Sequence, residues 1–376
     1  MKIKVMTVFG TRPEGIKMAP IIKTMENVPE IESIICVTAQ HRQMLDQVLN
    51  LFKIDPDYDL NIFKPGQTLT DITIGALKGL ESVIMEVNPD ILLVQGDTTT
   101  VFAGALAAFY QKVKIGHVEA GLRSGNMYSP YPEEANRKLT GVLADFHFAP
   151  TETNKRNLLR EGYPEDRIFI TGNTVIDALK YAVKEDYRFE NPLLNSIDYK
   201  KERIILMTSH RRENIGRPME SIFSAVNDIV KKYDDVSVVF PIHLNPKVRE
   251  IAYRVFDGND KVHLIEPLDY EPFTNLMAKS HIVVTDSGGL QEEAPSLGKP
   301  VLVVREETER PEGIEAGTAR LVGTDYQNIY SNLDRLLSDQ KEYQKMANAV
   351  NPYGDGKASE RIVDIILRYA RRNREE

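Results

Sequence analysis

Residues His281–Gly298 read HIVVTDSGGLQEEAPSLG: a β-branched apolar run, the polar turn Asp286-Ser287-Gly288-Gly289, then helix-forming residues. A strand that turns through two glycines into a helix directs free backbone N–H groups and the positive end of the helix dipole to one spot, an arrangement suited to phosphate. Working outward, the same alternation fills the chain. In the first half, strands are expected at Lys4–Phe9, Ser33–Thr38, Ile91–Gln95, Lys114–Val118 and Phe146–Ala149, with Ile168–Thr171 as a sixth, and amphipathic helices such as Gly15–Met25 and Thr98–Tyr110 lie between them. In the second half, strands are expected near Arg203–Thr208, Ser237–Pro241, Val262–Leu264, Ile282–Thr285, Val301–Val304 and Arg320–Leu321. Strands alternating with helices specify βαβ units and parallel sheets. The expected fold is α/β, with two Rossmann-like doubly wound domains.

Length agrees: 376 residues is more than twice the ~150 of one ordinary domain. The expected division is 1–172 for the first domain, completed by a last helix within 358–376, and 173–357 for the second. No sequence repeat relates the halves, so a tandem array is excluded. A composition 42% hydrophobic and 27% charged excludes a disordered chain, and the net charge of −8 argues against nucleic acid or anionic membrane as partners. The opening apolar stretch, in MKIKVMTVFGTRPE, is too short for a secretory or membrane-spanning segment, and the single Cys36 sits in an apolar run and can form no intrachain disulfide. Both point to the cytoplasm.

Ligands of doubly wound domains lie beyond the carboxyl ends of the strands. The residues there are polar: Gly10-Thr11-Arg12-Pro13-Glu14, with Lys17 one turn on; Gly96-Asp97-Thr98; Glu119 through Arg123; Ser209 through Glu213; and Asp286 through Gly289. Arg12 offers a bidentate guanidinium for phosphate. Asp97, Glu119 and Glu133 are candidate acid-base carboxylates, whereas Glu134 reads as complementing a helix dipole. His210 is the candidate proton donor or phosphate partner. No G-x-G-x-x-G or P-loop sequence occurs, and the seven histidines show no metal-ligand spacing, so no cofactor is expected.

Taken together, these motifs resemble the non-hydrolysing bacterial UDP-N-acetylglucosamine 2-epimerases. The resemblance runs through Tyr131-Pro132-Glu133-Glu134-Ala135-Asn136-Arg137, Thr171 through Asp177, His210 through Asn214, Thr285 through Pro295 and Thr308 through Glu312, in order along nearly the whole chain. It implies a GT-B architecture, with two Rossmann-like domains facing across a nucleotide-sugar cleft and a last helix returning to the first domain. It also implies a homodimer. By residue, it implies that Arg12, His210, Ser287, Gly288 and Gly289 hold the diphosphate, that Glu293 holds the ribose, and that Phe273 lies by the uracil. Lys17, Asp97, Glu119, Glu133 and Arg310 complete the reacting end. Family members have an activator site for a second substrate molecule, and the matching positions are Gln40, His41, Gln43, Arg211 and His243, with Gly66 where some members have a basic residue. Gly15 stands where Ala is expected, at about 1 kcal/mol of helix propensity.

The implied chemistry is physically coherent. A C2 hydrogen with no adjacent carbonyl is not acidic, but departure of UDP from C1 with oxocarbenium character makes it so. Proton loss then gives 2-acetamidoglucal and bound UDP, and re-addition with protonation from the other face inverts C2. This needs an anion hole and acid-base groups on two faces, each proton transfer contributing ~10²–10⁴ in rate. Three carboxylates argue against the alternative of a GT-B glycosyltransferase, and Gln40-His41-Arg42-Gln43 argues against a hydrolysing epimerase. The intact acid-base set argues against a non-catalytic sensor, and a modified UDP-sugar remains an alternative substrate.

Overall fold

The computed structural model describes residues 2–39 and 42–375. Gln40 and His41, two of the expected activator residues, lie outside the described residues. The chain forms two compact units, the first made of Met1–Tyr181 with Tyr353–Glu376 and the second of Ala182–Pro352.

The first unit holds a parallel sheet of β1 (Ile3–Phe9), β2 (Ile31–Val37), β3 (Tyr58–Asp59), β4 (Ile91–Gln95), β5 (Lys114–Val118), β6 (Phe146–Ala149) and β7 (Ile168–Ile170), in the order β3-β2-β1-β4-β5-β6-β7. The second holds β8 (Arg203–Thr208), β9 (Val236–Pro241), β10 (Val262–Ile265), β11 (Ile282–Thr285), β12 (Val301–Val303) and β13 (Ala319–Leu321), in the order β10-β9-β8-β11-β12-β13, again all parallel. Central strands such as Ile-Leu-Leu-Val-Gln of β4 are buried along their whole length, which is why they read as unbroken apolar runs. One core of the first unit packs Met6, Val8, Leu92 and Val94 against Leu80, Ile84, Val101 and Ala105. The second packs Ile205, Val238 and Val284 against Phe223, Phe240 and Leu333.

Strand order reverses between β1 and β4 in one sheet and between β8 and β11 in the other. These switch points open crevices at the carboxyl ends of the strands. The turns after β1 and β4, and those after β8 and β11, are the ones that carry Arg12, Asp97, His210 and Ser287.

The unit boundaries differ from those expected at 172 and 357. The helix Thr174–Ala182 buries Val175, Ile176, Ala178 and Leu179, and its Asp177 carboxylate accepts the amides of Ala358 (3.2 Å) and Ser359 (2.8 Å) at the start of the last helix, Ala358–Glu375. The Asn173 amide donates to the Tyr353 carbonyl at 2.7 Å. Residues 173–181 and 353–357 are therefore bound into the first unit. Gly15 also gains a reason: a Cβ there would meet Leu45 Cδ1 at 3.1 Å and Val48 Cγ1 at 3.2 Å, so the helices Arg12–Glu26 and Arg42–Phe52 pack too closely for a methyl group without adjustment.

Candidate active site

In the first unit, Glu119 follows β5 with φ +64°, a left-handed backbone that non-glycine residues adopt rarely. Lys17 donates to both oxygens of its carboxylate at 2.6 Å, Asn173 Nδ2 donates to Oε1 at 2.9 Å, and Gln95 Nε2 donates to Oε2. Lys17 comes from the helix after β1, Gln95 from the end of β4 and Asn173 from the segment after β7. The structure thus joins Lys17 to Glu119, as the sequence expectation grouped them, and adds two carboxamides.

Asp97 lies in the turn after β4. Arg137 Nε and Nη2 reach its Oδ2 at 2.9 and 2.7 Å, and Asn136 Nδ2 donates to its carbonyl at 2.9 Å. Both partners lie on the helix Glu133–Leu143, so this helix presents Glu133 at its first position while its next turn grips Asp97. Glu133 is half-buried and makes no ion pair among the described residues. Glu134 is fully buried: it accepts the amides of Ser124 (3.0 Å) and Gly125 (3.2 Å) and pairs with Arg137 at 3.1 Å, a framework role. Arg12, half-buried at the first turn of its helix, has no ion pair among the described residues.

In the second unit the centre is Asp286, fully buried after β11. Its Oδ2 accepts from the amides of His210 (2.8 Å) and Arg211 (2.9 Å), from Ser209 Oγ (3.2 Å) and from Asn214 Nδ2 (3.3 Å), while His210 Nδ1 lies 3.2 Å from Oδ1. Burial alone raises this carboxyl's pKa, but the hydrogen bond and charge of His210 with the two amides outweigh it and hold the pKa below the ordinary value. The His210 ring stacks on His243, centroids 5.6 Å apart, and burial together with the His210 charge lowers the His243 pKa. Arg211 Nε donates to the Asp286 carbonyl at 3.3 Å.

The Ser287 amide is taken by Thr285 Oγ1 at 2.9 Å, whereas the amides of Gly288 and Gly289 donate to no protein acceptor among the described residues. A Cβ on Gly288 would meet nothing within 4 Å, so the space beside that residue is open. Glu293 reaches back beneath the turn, its Oε1 3.5 Å from where a Gly289 Cβ would stand. Phe273 is half-buried on the helix Tyr270–Lys279. Arg310 pairs with the buried Glu292, a partner the sequence reading did not single out. Gln43 and His243 are exposed, and Gly66, at φ +74°, has open space where a side chain would begin. No group of three His, Cys, Asp or Glu able to hold a metal occurs among the described residues, and no helix among them is long and apolar enough to cross a membrane.

Residues 23–367 match the family model described as UDP-N-acetylglucosamine 2-epimerase. The chain belongs to the UDP-N-acetylglucosamine 2-epimerase family. It is 59% identical over 366 residues to the UDP-N-acetylglucosamine 2-epimerase of Bacillus subtilis strain 168, covering 97% of this chain and 95% of the relative. A solved UDP-N-acetylglucosamine 2-epimerase superimposes with a TM-score of 0.91 at 57% identity, covering 98% of this chain and 96% of the other. The UDP-GlcNAc 2-epimerase from Neisseria meningitidis, solved bound to UDP-GlcNAc, gives 0.83 at 52% identity, covering 97% of this chain and all (100%) of that one. In this structure Gln95, Arg137, Asn173 and Glu292 support the candidate residues, and the sequence reading gave none of them a role, whereas Asp286 was read only as part of the phosphate turn.

Proposed function

We propose that this chain interconverts UDP-N-acetylglucosamine and UDP-N-acetylmannosamine by eliminating UDP and adding it back, without hydrolysis. The observation that carries the reading is the carboxylate set of the first unit: Glu119 bound by Lys17, Asp97 bound by Arg137, and Glu133 at a helix start with no cation paired to it among the described residues. A single-base transferase has no need of three.

In the forward direction the C1–O bond breaks with its electron pair passing to UDP. A carboxylate of the set takes the C2 proton, and the C2–H pair becomes the C1=C2 bond of 2-acetamidoglucal. On return, UDP oxygen bonds to C1 while a proton is delivered to the other face of C2. Water is not consumed, so the sugar leaves still attached to UDP. Arg12 of the first unit, and His210, Ser287 and the amides of Gly288 and Gly289 of the second, serve the charge that develops on the leaving diphosphate. Lys17 and Arg137 keep Glu119 and Asp97 oriented, Asp97, Glu119 and Glu133 face the sugar, and Arg310 lies by the reacting end. Glu293 and Phe273 serve the ribose and the uracil.

The same reading makes Gln43, Arg211 and His243, with Gln40 and His41, an activator site for a second UDP-N-acetylglucosamine. It makes the working form a homodimer, supported by exposed Ile74, Met85, Phe109 and Tyr110 on the helices Leu69–Val87 and Thr99–Tyr110. It places the protein in the cytoplasm, supported by the buried free thiol of Cys36. Proton NMR of UDP-N-acetylglucosamine incubated with the enzyme tests the activity. Appearance of UDP-N-acetylmannosamine supports it, and free N-acetylmannosamine or no change overturns it.

A further inference from the structure

We propose that Glu14 is a positioning residue that couples the turn carrying Arg12 to the turn carrying Asp97. This rests on the epimerase reading for the roles of Arg12 and Asp97, while the coupling itself is a property of the fold.

Glu14 is 2% exposed and makes no ion pair among the described residues, an unusual position for a carboxylate. Its oxygens are divided between two turns. Oε2 accepts the amides of Gly10 (3.0 Å) and Thr11 (2.7 Å), the residues just before Arg12, whereas Oε1 accepts the hydroxyl of Thr98 (2.6 Å), the residue just after Asp97. The bond to Thr98 spans 84 residues of sequence, so it is no local cap. Burial raises the Glu14 pKa, opposed by the hydrogen bonds of Thr98, Thr11 and Gly10.

The turn after β4 is held at three consecutive residues by side chains from three different elements. His117 Nε2, on β5, meets the Gly96 carbonyl at 2.7 Å; Asn136 Nδ2 donates to the Asp97 carbonyl at 2.9 Å; and Glu14 holds Thr98. His117 and Asn136 tie the turn to neighbouring elements, but neither reaches the turn after β1. Glu14 is the member that does, so displacement of one turn is passed to the other through its 2.6 Å hydrogen bond with Thr98. An ordinary capping glutamate would need only the first pair of contacts.

The test uses Thr98→Val, which removes the hydroxyl while keeping side-chain shape, with Thr98→Ser as the conservative control and Glu14→Gln as a second probe. Backbone amide NMR of the full chain reads the coupling without reference to activity. The proposal expects Thr98→Val to shift the Gly10 and Thr11 amides and Thr98→Ser to leave them near wild type. Shifts confined to the region of Thr98 overturn it. Steady-state kinetics then read its consequence: kcat at least tenfold lower in Thr98→Val, UDP affinity within twofold, and recovery in Thr98→Ser. Thr98→Val and Glu14→Gln together should lower kcat no more than the stronger of the two alone. Wild-type kcat in Thr98→Val, with only a lower melting temperature, reduces Glu14 to a structural cap. Absence of epimerase activity in the wild type, with the Gly10 and Thr11 shifts present, fails the epimerase reading and leaves the coupling standing.

Discussion

His210 Nδ1 lies 3.2 Å from Asp286 Oδ1, and the other oxygen of the same carboxylate accepts the His210 backbone amide at 2.8 Å. One buried carboxylate therefore holds the backbone of the histidine through Oδ2 and keeps Oδ1 beside Nδ1 of its ring, with Nε2 turned away from the carboxylate. A carboxylate beside a ring nitrogen favours a proton on that nitrogen. Asp286→Asn should keep the fold, because a carboxamide oxygen still accepts the amides, but lower kcat about tenfold or more by releasing the ring. Turnover equal to wild type would show that His210 needs no orientation.

Asp97→Asn, Glu119→Gln and Glu133→Gln should each lose at least ~100-fold in turnover while UDP binding stays nearly intact, since the proposed mechanism has them act on the sugar rather than the diphosphate. Arg12→Ala should do the opposite. A hydrogen bond to a charged group is worth about 1.5–3 kcal/mol, so UDP should bind roughly tenfold more weakly or worse. Calorimetry with UDP separates the two classes, and unchanged affinity in Arg12→Ala would remove that residue from the diphosphate site.

His117 and His147 face each other across β5 and β6, both 1% exposed. Burial depresses their pKa values from 6.5 to about 4 and about 3. The unfolded chain binds protons at these rings below about pH 6.5 while the folded chain stays neutral there. Stability is thus fully present above the unfolded value and is lost as pH falls through the window down to about 4 and then about 3. The melting temperature should drop between about pH 7 and about pH 5, and His147→Leu should flatten that drop. An identical slope in His147→Leu would contradict this.

The strands were legible because two-sided burial writes continuous apolar runs, as in β4 and β11. β3 was not, for it has two residues, Tyr58 and Asp59, paired only with Cys36 and Val37, too few to carry a period. The candidate residues in strand-end turns were legible by position, since the topology directs those turns to a crevice. Gln95 and Asn173 were not: a neutral amide looks like ordinary surface polarity, and their bonds to Glu119 span 24 and 54 residues. Asp286 was read as part of a phosphate turn, and its service to Ser209, His210, Arg211 and Asn214 emerges only when β11 pairs with β8.

If Gln43, Arg211 and His243 bind a second substrate molecule, the rate should be sigmoidal in UDP-N-acetylglucosamine, and purified UDP-N-acetylmannosamine should react poorly until traces of the other sugar are added. Gln43→Ala or His243→Ala should flatten the sigmoid. Hyperbolic wild-type kinetics with full reverse activity would show that no activator site operates.

Elimination through a glucal is the central claim, and isotope exchange at C2 tests it most directly. In D₂O, without added nicotinamide or metal, both UDP-N-acetylmannosamine and recovered UDP-N-acetylglucosamine should acquire deuterium at C2, seen by proton NMR as loss of the C2 signal and collapse of its coupling to C1. Epimerised product that retains its original C2 hydrogen would contradict proton exchange and the mechanism built on it.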